Sequence, residues 1–139
     1  GMVSSIDPSV VNLLDATPFI PVIAPIGIGE DFKTYNINAD IVAGKIAKIL
    51  QAGKYVVLTN TTGIFDDNGN LIKSMNAEQV RQLVNKGIIS SGMLPKVESA
   101  LEAVSAGVQN VQIIDGTIDH AILLELFTDE GVGTMIRRT

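Results

Sequence analysis

The sequence has no cysteine among its 139 residues, which removes a disulfide scaffold, a thiolate metal site and a cysteine nucleophile together. Histidine is nearly absent too. His120 stands alone and no serine sits in a nucleophile elbow, so histidine metal sites and Ser-His-Asp triads lack parts, and no metal site is expected. Basic residues are scarce: 10 against 15 acidic ones leave a net charge of −5, a balance that disfavours coating of nucleic acid. Long apolar runs are missing, since Gly, Pro or polar residues interrupt each one before the roughly 18 positions a bilayer span needs. The opening GMVSSIDP lacks a basic n-region and an apolar h-region. The sequence therefore predicts a soluble, cytoplasmic chain without a membrane partner.

What is present points to a globular fold. The composition is 46% hydrophobic and 18% charged, and the length predicts a single unit over residues 1–139, with 1–19 as a less coherent lead-in. There are 18 Ile and 14 Val against 11 Leu. An excess of β-branched aliphatic residues favours strands buried on both faces, as in parallel sheets.

Along the chain, Ile20 to Gly27 is a nearly continuous apolar run that predicts a buried strand, with Pro21 and Pro25 at bends or unpaired positions. Asn38-Ala39-Asp40 opens a helix whose Val42, Ile46, Ile49 and Leu50 fall at helical spacing up to Gly53. Lys54 to Thr59 predicts a second strand. Asn68-Gly69, between Ile64-Phe65 and Leu71-Ile72, predicts a small hairpin with a type I′ turn. Asn76-Ala77-Glu78-Gln79 resembles a capping box and starts a helix ending near Gly87. Pro95 to Gly107 gives the clearest helix, Val111 to Ile114 a short strand, Ile118 to Phe127 a very apolar helix, and Gly133 to Ile136 a last edge strand. Alternating strands and helices predict an α/β sandwich on a mainly parallel sheet.

In such sheets ligands collect at the carboxyl ends of the strands. Three polar clusters fall there: Tyr35 to Asp40, Thr59 to Gly63, and Ser90 to Lys96. A lysine in the first turn of a helix faces the positive end of the macrodipole, and a phosphate held by the Gly92-region amides and the Lys96 ammonium would reverse that conflict. The other reading is a lysine that snorkels into solvent. Asn36, Asn38 and Asp40 suit helix capping, yet one residue suffices to cap, which leaves the others for a ligand or a neighbouring ammonium. Gly27-Ile28-Gly29 does not complete a dinucleotide fingerprint, because Phe32 stands where the last glycine belongs. Asp66 to Asn70 fails as a calcium loop for the same kind of reason, with Leu71 in the glycine position.

Taken in order, Ile20 to Gly27, Tyr35 to Asp40, Gly92-Met93 with Lys96, and His120-Ala121 through Glu125 to Thr134 resemble the carboxyl-terminal part of the acetylglutamate kinases, members of the amino-acid kinase family. The resemblance implies a three-layer, carbamate kinase-like sandwich truncated at its N-terminal side. It also implies transfer of the γ-phosphoryl group of ATP, carried with Mg2+, to the side-chain carboxylate of N-acetyl-L-glutamate in arginine biosynthesis. Under it, Lys96 stabilises the transferring phosphoryl group and Asp40 holds the catalytic lysines. Asn36 contacts acetylglutamate. Asn60, Thr61, Thr62, Gly63, Ile64, Phe65, Ile88, Ile89 and Ser90 line the nucleotide pocket. Glu125 and Gly131 resemble the region that binds inhibitory arginine, although Glu125 reads equally well as a solvated helix residue.

Many members of the family carry Asp where Asn60 stands, which puts nucleotide affinity and metal handling in question. Two other readings fit the same residues. One is another amino-acid kinase acting on aminoadipate or aspartate; the other is a non-catalytic nucleotide- or arginine-binding module. A truncated sheet would expose apolar surface, and a homo-oligomer is expected to cover it. The resemblance places a further phosphate-binding lysine, glycine-rich loops and a substrate arginine in the family's amino-terminal half. The 139-residue chain alone is therefore expected to give no robust turnover in a coupled kinase assay with ATP and N-acetyl-L-glutamate. Sustained ADP release would contradict that expectation.

Overall fold

The computed structural model describes residues 1–89, 91–128 and 131–138. Strand β3 (Lys54–Thr59) pairs in parallel with β5 (Asn110–Asp115), β5 pairs antiparallel with β6 (Thr134–Arg137), and β6 pairs in parallel with β4 (Ser74–Asn76). The order is β3-β5-β6-β4. Side chains alternate across this sheet, because strand residues point to opposite faces. Tyr55, Val57, Val111, Ile113, Met75 and Ile136 face one side and form the core with Val80, Val97, Ala100, Ala103 and Val104 from the helices.

Three helices build that layer: α2 (Ala39–Ile49), α3 (Ala77–Asn85) and α4 (Leu94–Ser105). Their starts follow from local chemistry. Asn38 caps α2 by accepting from the Asp40 and Ile41 amides, and Asn76 with Gln79 closes a capping box on α3. Pro95 occupies the first turn of α4, where its missing N–H costs nothing. On the opposite sheet face lies α5 (Ala121–Phe127), which buries Ala121 and Glu125 and leaves Leu126 and Phe127 exposed. Helices on both sides of a mostly parallel sheet make the expected α/β sandwich.

The amino-terminal segment departs from expectation. Ile20 to Gly27 does not form a buried strand; only Ile26–Ile28 (β1) is a strand, paired antiparallel with Thr34–Asn36 (β2) in a separate two-stranded sheet. Val22 is 95% exposed. Prolines 21 and 25 cannot donate to a ladder, and a two-stranded ribbon without a covering layer buries little. Ahead of it stands α1 (Ser9–Asp15), which buries none of its residues.

Three smaller expectations are corrected. The turn at Asn68-Gly69 is not type I′, since Gly69 alone adopts positive φ and its amide bonds the Asp66 carbonyl. The Asp66 carboxylate instead accepts from the Asn68 and Asn70 amides, so the side chain shapes the loop. The last strand is no edge: β6 sits between β5 and β4. The apolar helix begins at Ala121 rather than Ile118, because His120 takes a left-handed conformation and Thr117 folds back onto Asp115.

The entry to β6 depends on Gly133, whose φ is 86° and whose added Cβ would overlap the Ile113 carbonyl oxygen. Left-handed geometry and backbone contact both demand glycine. Gly133→Ala should cost about 3 kcal/mol or more in a urea titration, as expected where strain meets an immovable backbone neighbour. A midpoint equal to that of the parent chain would contradict this account.

Candidate functional site

The first turns of α2 and α4 meet at one side chain pair. Lys96 places its ammonium 2.9 and 3.1 Å from the two carboxylate oxygens of Asp40, and each side chain is 21% exposed. Neither fully wet nor fully dry, the pair sits at the rim of the helix layer. Each helix N-terminus carries the equivalent of about half a positive charge, so two such ends with one ammonium and one carboxylate leave roughly one net positive charge. Helix N-termini in general favour a negative charge nearby. The conflict between Lys96 and its own helix end is met first by Asp40, and the lysine does not snorkel away.

At the same end of α4, a cavity of about 210 Å³ is lined by Thr61, Gly63, Ile64, Phe65, Ile88 and Ile89, with Asp66 and Met93 completing it. Met93 is the residue that precedes α4. Six of the residues assigned to a nucleotide pocket thus converge on one hollow. Of the remainder, Asn60 is exposed beside Thr59, Thr62 turns into a different cavity, and Ser90 lies outside the described residues. The strand-end loop is held in place by Thr134, whose hydroxyl accepts from the buried Ile64 amide at 2.8 Å. Asn36 is exposed at the end of β2, four residues before Asp40, and its carbonyl accepts from the terminal ammonium of Gly1.

Glu125 is not a solvated helix residue. Its side chain is 6% exposed, takes the Lys54 ammonium at 2.8 Å on one oxygen and the Val132 amide at 3.0 Å on the other. With Gly131 and Gln112 it lines a cavity of about 670 Å³ on the second sheet face. The Gln112 Oε1 atom is buried without a hydrogen-bond partner. The carboxylate is already matched by the Lys54 ammonium, and the cavity is lined by charges of both signs, Lys54 and Lys73 with Asp115 and Glu125.

Sequence reasoning missed the residues that support these sites. Tyr55, Ser99 and Thr134 were passed over as strand and helix filling, and Lys54 and Gln112 as strand residues. One signal was available: Ser99 interrupts the apolar stripe of α4 three residues after Lys96. Among the described residues no three His, Cys, Asp or Glu side chains gather to hold a metal. No described helix is long and apolar enough to cross a membrane.

The amino acid kinase family matches residues 1–115. An acetylglutamate kinase of Nitrosomonas eutropha is 56% identical over 137 residues, which is 99% of this chain and 46% of that protein. The chain spans about half the length of the curated relatives it matches. The crystal structure of N-acetylglutamate synthase from Neisseria gonorrhoeae complexed with coenzyme A and L-arginine superposes with a TM-score of 0.89 at 32% identity, over 96% of this chain and 31% of that one. Carbamate kinase from Giardia lamblia bound to AMP-PNP shares the fold, with a TM-score of 0.62 at 19% identity over 80% of this chain and 36% of that one. A family match over residues 1–115, on a chain that folds as helices on both faces of a mainly parallel sheet, establishes that this chain belongs to the amino acid kinase family.

Proposed function

We propose that the chain is the nucleotide-binding part of an enzyme that transfers the γ-phosphoryl group of ATP to the side-chain carboxylate of N-acetyl-L-glutamate, giving an acyl phosphate and ADP within arginine biosynthesis. The observation that carries the reading is the Lys96–Asp40 pair at two converging helix N-termini, with a hollow lined by Thr61, Gly63, Ile64, Phe65, Ile88 and Ile89 at the same end of α4. Phosphoryl transfer asks a protein for positioning and for positive charge around the equatorial oxygens, with no covalent nucleophile of its own. Lys96 and the amides of the α4 first turn supply that charge. Asp40 keeps the ammonium aimed rather than free to follow solvent. Asn36, on the strand leading into α2, would reach acetylglutamate.

Mg2+ would accompany the phosphates, as is usual for nucleotide complexes. Asp40 is engaged by Lys96, and among the described residues no acidic cluster gathers that would cage the ion. Its contribution is to bind and orient the phosphates. The 56% identity to an acetylglutamate kinase favours this substrate over aminoadipate or aspartate. Self-association belongs to the same reading, supported by exposed apolar side chains such as Leu58, Leu123 and Phe127.

A second role rests on a separate observation. The cavity is lined by the Glu125 and Asp115 carboxylates together with Gly131 and Gln112, and the Neisseria gonorrhoeae synthase that superposes so closely was crystallised with L-arginine. We read this cavity as an arginine effector site. Glu125 would meet the guanidinium or the amine, and Gly131 would let backbone approach the ligand.

Titration calorimetry of the 139-residue chain separates the two sites. Lys96→Ala should weaken Mg·ATP about tenfold and leave ADP nearly unchanged, in line with the ~1.5–3 kcal/mol of a hydrogen bond to a charged group. Absence of any ATP heat from the parent chain would refute the kinase reading. L-arginine should bind the parent chain and give no heat with Glu125→Gln, while lysine binds more weakly because it lacks the planar fork. Equal heats from Glu125→Gln and the parent chain would exclude Glu125 as the anchor.

A further inference from the structure

The floor beneath the Lys96–Asp40 pair holds polar groups that neither helix capping nor phosphate binding uses. The Ser99 hydroxyl donates to the Asp40 carbonyl at 2.7 Å, and the Tyr55 hydroxyl lies 3.2 Å from Ser99 Oγ and 3.3 Å from the same carbonyl. Ser99 has one proton and gives it to Asp40. The Tyr55 proton therefore goes to Ser99 Oγ or directly to the carbonyl, so that a hydroxyl chain from β3 through α4 ends on the first turn of α2. Both side chains are buried, Ser99 at 6% and Tyr55 at 7% exposure. Burial pushes the Tyr55 phenol above its ordinary value, against a smaller downward pull from Ser99, which keeps it a proton donor around neutral pH.

Why these groups are polar is the question that matters. Ala would fill position 99 and Phe position 55 with the same shape, and a satisfied buried hydroxyl contributes only ~1 kcal/mol net. Moreover α2 spends a glycine mid-helix, at about 1 kcal/mol relative to Ala. A Cβ at Gly44 would overlap Ser99 Oγ, so the glycine exists to let α4 come close enough for Ser99 to reach the Asp40 carbonyl. The ion pair above cannot set that spacing, because partly wet pairs between flexible side chains tolerate a wide range of geometry. The 2.7 Å bond from buried Ser99 to the Asp40 carbonyl does not, and Tyr55 braces it from the sheet.

We propose that the Tyr55 and Ser99 hydroxyls, seated by Gly44, form a positioning latch that sets the spacing of the first turns of α2 and α4 and thereby holds Lys96 on Asp40. The proposal rests on the reading of that pair as the phosphate-facing one. Tyr55 and Ser99 touch no reacting atom; they are positioning residues that act through Asp40. Because the latch joins a strand to two helices, it also locks the pair to the sheet whose strand-end loop lines the hollow at the same end of α4.

The test is acetylation of lysines by a succinimidyl ester, read residue by residue by mass spectrometry on the full chain, with Asp40→Asn as the reference for an unpaired Lys96. The variants are Tyr55→Phe, Ser99→Ala and their combination, compared below the onset of melting. The internal control is Lys45, whose ammonium meets Glu102 of α4 at 2.5 Å and so bridges the same two helices farther along. The latch predicts that Lys96 acetylation rises about three- to tenfold in the double variant while Lys45 stays at the parent rate. Tyr55→Phe, which keeps the ring and its packing, should give part of that rise. Unchanged Lys96 in all variants would overturn the proposal, as would an equal rise at Lys96 and Lys45, which marks a general loosening of the helix pair. Calorimetry supplies a second arm: the latch variants should lose Mg·ATP affinity more than ADP affinity, a split that plain destabilisation does not produce. If the parent chain takes up no ATP, the kinase reading falls by itself, and the acetylation rates still decide the latch.

Discussion

Two helix N-termini and an ammonium converge on a single carboxylate, and most of the molecule is arranged around that meeting. Left alone, the first turns of α2 and α4 would repel each other, and Lys96 would sit at the wrong end of its own helix. Asp40 reconciles them while leaving a net positive field at the surface. That residual field is what a phosphate would find. The glycine beneath Ser99 lets α2 and α4 approach closely, and the loop leaving β3 lines a hollow at the same end of α4.

The fold explains why this can happen at all. Parallel pairing of β3 with β5 puts their carboxyl ends together, and the helices α2 and α4 pack side by side above the same sheet face. Loops leaving the strands and turns entering the helices then share one rim. The opposite face carries a different chemistry. There α5 closes only part of the sheet, Glu125 is buried with Lys54 as its counter-charge, and a large cavity remains next to an unpaired amide oxygen. The two faces of the sheet thus carry different ion pairs, Lys96 with Asp40 on one and Lys54 with Glu125 on the other.

Local signals in the sequence translated into structure wherever the causes were local. Asn38 and the Asn76/Gln79 pair cap helices, Lys54 to Thr59 is a strand with the expected bounds, and Pro95 marks the start of α4. The misreadings came where a neighbour far along the chain decides. Ile20 to Gly27 has the composition of a buried strand, but its prolines deny it a ladder and no layer covers it. Gly133 to Ile136 looked like an edge because it comes last, yet insertion between β5 and β4 is a matter of topology. Asn68-Gly69 suggested a primed turn, and the Asp66 carboxylate chose another loop.

Taken by itself, the amino-acid sequence determined the α/β class, the helix caps, the main strands and the candidate residues Lys96, Asp40 and Thr61 to Phe65, because period, capping chemistry and motif order are written within a few positions of one another. The pairing of Lys96 with Asp40 across 56 positions of chain was implied by the family resemblance alone, and neither the burial of Glu125 against Lys54 nor the meeting of Ser99 and Tyr55 beneath Asp40 could be read from it. Those facts are distances between elements. Only close packing of α2, α4 and β3 brings their side chains within hydrogen-bond reach, and packing is a property of the assembled layers rather than of any one segment.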